Sequence, residues 1–122
     1  EFISEIKESK PLEPLIEFDN TAPVEERIND DFSTTYIGQV TNTGLRRGDF
    51  VRVIYHFWNN NTEPVFSDSS FVAGQNIVYL NGVVSDASVE PTESAIFSLS
   101  INLPQSLKYE YITKEIHWDI FD

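Results

Sequence analysis

Few side chains in this sequence could do chemistry, and they are scattered along it. Two histidines, His56 and His117, each lie close to a tryptophan, Trp58 and Trp118. As zinc ligands they need a third partner and an opening in the backbone around them. The chain has no cysteine to help, so both are expected as outward-facing strand residues. Asp19, Asp30 and Asp31 sit at the two ends of one acidic loop and carry the hard oxygen ligands that Ca²⁺ requires. Their spacing is not that of an EF-hand, so solvated turns are the simpler expectation beside a calcium-stabilised one. Arg47-Gly48-Asp49 spells RGD between two predicted strands, where an adhesive loop is normally displayed. A glycine at such a turn also has its own backbone reason. Trp58, Trp118, Tyr109 and Tyr111 could together form a sugar-stacking platform, against the commoner fate of large rings, which is burial. Asn60-Asn61-Thr62 has the form of an N-glycosylation acceptor.

Catalytic patterns are missing from the sequence. It has no G-x-S-x-G elbow, no H-E-x-x-H and no phosphate-cradling glycine loop. The acid pairs Glu25-Glu26 and Asp30-Asp31 fall in polar segments, where nothing apolar tunes one carboxyl against the other. The chain therefore reads as a non-enzyme with no cofactor, Ca²⁺ being the one alternative. A net charge of −12, with eight Lys and Arg against twenty Asp and Glu, excludes a phosphate-backbone partner. It equally disfavours an anionic membrane surface, leaving membrane attachment to an anchor outside this chain. Ten acids against three bases in residues 1–31 give −7, and ten against five in 32–122 give −5. The acidic lead-in has the character of a solvated linker.

The elements that must position these residues follow from periodicity. Residues 1–14 contain Pro11 and Pro14 and read as an extended linker, with a short edge strand over Phe2–Ile6. Leu15–Phe18 reads as the first strand of a domain spanning 15–122, and 19–31 as an acidic turn region whose EERIND piece could make one helical turn. Phe32–Thr41 is a strand in which Gly38 implies either close packing against a bulky neighbour or a bulge. Phe50–Asn61 is the stretch the rest is organised around, a central strand ending in a polar turn: Val51, Val53, Tyr55 and Phe57 share one face, and Phe50, Arg52, Ile54, His56 and Trp58 the other, more mixed one. Val65–Val72 reads as one or two edge strands. Ile77–Leu80, Asn81-Gly82 and Val83-Val84 read as a hairpin with a type I′ turn. Ala95, Phe97, Leu99, Ile101 and Leu103 alternate through another strand, and Lys108–Ile120 forms the last. Seven or eight strands without a convincing helix predict an all-β fold, an antiparallel two-sheet immunoglobulin-like β-sandwich.

The order Gly38-Gln39-Val40-Thr41-Asn42-Thr43-Gly44, then Val51-Arg52-Val53, then Tyr55-His56-Phe57-Trp58-Asn59 resembles the bacterial FxLYD domains. Pro91-Thr92-Glu93 ahead of Phe97 resembles the later turn and strand of that family, so the likeness covers roughly residues 32–103. Tyr55, Phe57, Trp58, Asn59 and Thr92 depart from the family's Phe, Leu, Tyr, Asp and Gly. The resemblance implies an immunoglobulin-like module of an exported or cell-envelope protein, with no catalytic residues to carry over. The expected role is a spacer or protein-interaction module, its partner another protein or a neighbouring domain. A carbohydrate-binding module and a calcium-stabilised adhesin are the alternatives.

Overall fold

The computed structural model describes residues 12–60 and 62–120. Nine strands run through them: β1 (Ile16–Phe18), β2 (Glu25–Ile28), β3 (Thr34–Asn42), β4 (Asp49–Trp58), β5 (Pro64–Phe71), β6 (Gln75–Val78), β7 (Val84–Ser88), β8 (Ser94–Ile101) and β9 (Tyr111–Asp119). All pair antiparallel. The described residues contain no helix, and so none long and apolar enough to cross a membrane. In the four-stranded sheet β3 is central, with β8 along one side and β1 and β2 in tandem along the other. The order β5-β4-β9 makes a three-stranded sheet, and β6-β7 a separate hairpin.

Strict alternation decides what is inside. On β4, Val51 and Val53 are fully buried, with Tyr55 and Phe57 close behind, as the pattern of that stretch requires. Ala95, Phe97, Leu99 and Ile101 do the same on β8. Tyr36 and Val40 complete the set from β3, and the faces of both larger sheets share one apolar cluster. Tyr36 lies 4.5 Å from Tyr55, ring centre to ring centre, and Phe97 lies 6.5 Å from Tyr55. Full burial of a valine, leucine, isoleucine or phenylalanine side chain among them contributes about 1.5–3 kcal/mol. Gly38 gives Phe97 its place: a β-carbon there would stand 2.6 Å from the Phe97 Cε2.

Three expectations need correction. First, the strands among the described residues number nine, the addition being β2, which runs through a segment read as an acidic turn region with room for one helical turn. Four exposed residues are too few to nucleate a helix, whereas pairing Glu25 with Ile37 through Ile28 with Thr34 satisfies part of the free edge of β3. Second, the hairpin turn is not type I′, which needs positive φ at both central residues. Gly82 N–H donates to Tyr79 C=O and Tyr79 N–H to Val83 C=O, closing a three-residue loop in which Gly82 alone has positive φ, at 88°. Third, β9 starts at Tyr111 rather than Lys108. Of the predicted linker, residues 12–14 are described and are fastened to the domain: Leu45 N–H donates to Glu13 C=O (2.9 Å). The predicted edge strand at Phe2–Ile6 lies outside the described residues.

Candidate functional site

The outer face of the β5-β4-β9 sheet collects much of the polar chemistry singled out above. Trp58 sits directly opposite Tyr111 across the β4–β9 ladder. Their rings stack with centroids 6.0 Å apart and planes 6° from parallel, and Trp58 Nε1 donates to Thr113 Oγ1 (2.8 Å). The four-ring platform does not form. Trp118 differs from Tyr111 in strand parity, so it packs against the core from the other face of β9. Tyr109 precedes the strand and meets the core ring of Phe57 edge-on at 5.0 Å.

Both histidines face outward, as expected, but they share a partner that the sequence reading missed. His56 Nε2 lies 3.3 Å from Glu115 Oε2, and His117 Nε2 hydrogen-bonds Glu115 Oε1. His56 Nδ1 is held by Ser67 Oγ at 2.6 Å. The His117 hydrogen bond keeps the Glu115 carboxyl below its ordinary value. Glu115 and His117 are two apart on one strand and therefore on one face, a period-2 signal that could have found the pair. Among the described residues no three His, Cys, Asp or Glu side chains are grouped so as to hold a metal ion.

RGD is not displayed. Gly48 is buried and bridges Val89 through both of its backbone groups, at 3.1 and 2.9 Å. The Asp49 side chain has no solvent exposure and accepts from Arg47 Nε (2.8 Å) and Ser88 Oγ (2.8 Å). The Ser88 proton being committed to Asp49, the Ser85 hydroxyl donates in turn to Ser88 Oγ at 3.0 Å. Arg47 lies over the Tyr79 ring, 5.6 Å from its centre. The tripeptide thus ties the start of β4 to the β6–β7 hairpin, with its carboxylate facing inward.

The proposed calcium ligands do not converge. Asp19 Oδ1 accepts from the Thr21 N–H (2.8 Å) and hydroxyl (2.6 Å), and its Oδ2 from Gln39 Nε2 (3.0 Å). Asp31 Oδ1 accepts from the Ser33 N–H (3.0 Å) and hydroxyl (2.6 Å). These hydrogen bonds lower both carboxyl pKa values. Asp30 is exposed beside them. Phe18 pairs with Val40 and Ile28 with Thr34, so the two turns leave β3 at well-separated positions. At Asn60 the side-chain oxygen accepts the Thr62 N–H (2.9 Å), an exposed Asx turn at the sequon.

One feature had no counterpart in the sequence reading. Between Asp49 and Arg52 the β4–β9 register shifts, and Phe50 takes a φ of 49°. A left-handed backbone costs a non-glycine residue about 1–2 kcal/mol. Its half-buried ring stands 6.3 Å from that of Phe71, which is itself 57% exposed. Phe50, Phe71, Val72, Val84 and Ala87 line a groove of about 350 Å³ at that end of the molecule, with Asp86 at its wall. Val78 and Leu80 extend the exposed apolar surface along the adjoining hairpin. Comparison with known proteins gives no match: no protein-family model, no curated protein and no solved structure is significantly similar to the chain.

Proposed function

We propose that the chain is a non-catalytic protein-interaction module, an immunoglobulin-like two-sheet sandwich of the FxLYD-like kind carried by an exported or cell-envelope protein. Its contact surface is the groove around Phe50, and its partner is another protein or a neighbouring domain offering an apolar side chain. The observation that carries this is the bulge at Phe50. Backbone strain persists where the surroundings enforce it and clusters at functional sites. Here it holds an aromatic ring at a groove whose other walls, Phe71 and Val84, are about half exposed. Exposed apolar surface of this kind marks interaction sites. Two sheets sharing one core, with every strand antiparallel, support the sandwich form. The sugar-binding alternative draws little support from Trp58 and Tyr111, because each ring gives one face to the other.

The test is photo-crosslinking from position 71, with position 67 on the same face of β5 as the control, in cells that make the protein. A discrete adduct from 71 and none from 67 is expected, lost when Val84 is changed to Asp. Equal labelling from both positions, or none from 71, overturns the assignment.

A further inference from the structure

A second site lies on the flank where the edges of β2 and β9 leave the core open. Two cavities adjoin there, sharing Glu26 and Tyr36 as walls. One, about 280 Å³, reaches Tyr55, Ile112 and Lys114. The other, about 200 Å³, reaches Phe32, Phe57 and Tyr109. Glu26 and Tyr36 are cross-strand partners, so both side chains stand on the same face of the β2–β3 pair.

Phe32 is the residue that needs explaining. Phe32 N–H donates to Asn29 C=O and Asn29 N–H to Ser33 C=O, the same loop closure seen at Tyr79–Val83. Where that second loop has Gly82 at φ 88°, this one has Phe32 at φ 69°. A phenylalanine thus occupies a glycine's place with its side chain 84% exposed, where it gains little from burial. A local conflict of that kind is expected at functional positions. Deeper in the flank, the Tyr55 hydroxyl is buried and finds no hydrogen-bond partner among the described residues.

We propose that this cleft binds an organic ammonium cation, held between the rings of Phe32, Tyr36 and Tyr109 and paired with the Glu26 carboxylate. Aromatic faces with one carboxylate suit an alkylated ammonium, which asks for ring faces and one counter-charge. They do not suit a hard metal ion, which needs several oxygens. An anion meets Glu26 and the net charge of −12. The flank already uses this chemistry internally, since the Lys114 ammonium lies 4.8 Å from the centre of the Phe18 ring. The assignment is independent of the groove at Phe50.

The experiment is a titration of the full chain with choline chloride, followed by backbone amide NMR, with sodium chloride as the ionic-strength control. A second arm uses a peptide carrying trimethyllysine, so that a free small molecule and a modified side chain can be told apart by their affinities. Saturable shifts centred on Glu26, Phe32 and Tyr36 are expected with one or both probes. Glu26→Gln and Tyr109→Ala should each weaken binding about tenfold. Phe32→Gly is the decisive variant: it should raise the melting temperature while weakening binding, which a merely structural residue does not do. Shifts no larger than those from sodium chloride in both arms, or unaltered binding by Phe32→Gly, overturn the proposal.

Discussion

Asn42 has no solvent exposure, and its amide is fully committed. Its Oδ1 accepts from Leu15 N–H (3.2 Å) and Gly44 N–H (2.9 Å), while its Nδ2 donates to the carbonyls of Arg46 (2.8 Å) and Val89 (2.9 Å). A carboxylate has no donor at neutral pH. Asn42→Asp should therefore leave two carbonyls facing a buried charge and cost about 2–4 kcal/mol in urea unfolding at pH 7. An unchanged midpoint would show that water replaces the lost bonds. Tyr55 is the converse case, a buried hydroxyl without a partner among the described residues. Tyr55→Phe removes an unsatisfied group and should be neutral or stabilising, by up to about 1 kcal/mol. Burial, the first cause, pushes the Tyr55 phenol up to about 12, with Tyr36 and Glu26 adding to the shift. Tyr36 is raised as well, again chiefly by burial. Because the folded state favours the neutral phenol, that stability is whole below the ordinary value near 10 and is lost as pH rises toward 12. Circular dichroism should show alkaline unfolding across that window, and Tyr55→Phe should unfold at higher pH than wild type.

At the scale of elements, the β3–β8 pair depends on the space that Gly38 leaves for Phe97. An alanine there puts its methyl 2.6 Å from Phe97 Cε2 and 2.7 Å from Cζ, so the ring must move in a packed core. Gly38→Ala should cost about 1–3 kcal/mol, and Phe97→Leu should then cost less in that background than alone. Independent, additive losses in the four-member cycle would contradict the steric account. That contact was legible from one glycine inside a strand pattern, just as β4 and β8 were legible from alternation. Strand β2 was not, because Glu25-Glu26-Arg27-Ile28 has no buried face to leave a period in the sequence. What holds it is the edge of β3, a fact of topology. The left-handed backbones at Phe32 and Phe50 were equally hidden, since phenylalanine is the wrong residue type to announce a positive φ. The RGD tripeptide misled for the opposite reason: three letters carry chemistry but say nothing about burial. Of the candidate sites, the outward histidines were legible and the Glu115–His117 spacing carried a signal, while the approach of His56 to Glu115, the groove and the cleft arise from strands brought together in the fold.

The whole molecule carries a net charge of −12 on 122 residues, which works against compactness. Among the described residues few carboxylates have a basic partner close by. Arg27 meets Glu25 at 3.2 Å and Arg52 meets Asp119 at 3.4 Å, both exposed pairs of small value. Salt at about 150 mM shrinks the screening length to about 8 Å. The melting temperature should therefore rise by a few degrees between about 10 and 150 mM sodium chloride at pH 7. Acid offers the same relief by another route. As pH falls from 7 toward 5, ordinary carboxylates begin to take up protons and the repulsion weakens. Asp19 and Asp31 behave differently, because their turn hydrogen bonds depress their pKa values in the folded state. A depressed carboxyl contributes stability that is present above its unfolded value and is lost as pH falls through the folded one. Below about pH 4 the two turns should therefore be weakened just as the repulsion vanishes. Together these effects place the stability maximum on the acid side of neutrality, near about pH 5. They also require the salt-induced gain to shrink there. A calorimetric series at two salt concentrations from pH 3 to 8 measures both. A maximum at or above pH 7, or a salt gain that persists at the optimum, would show that local pairing outweighs net charge in this fold.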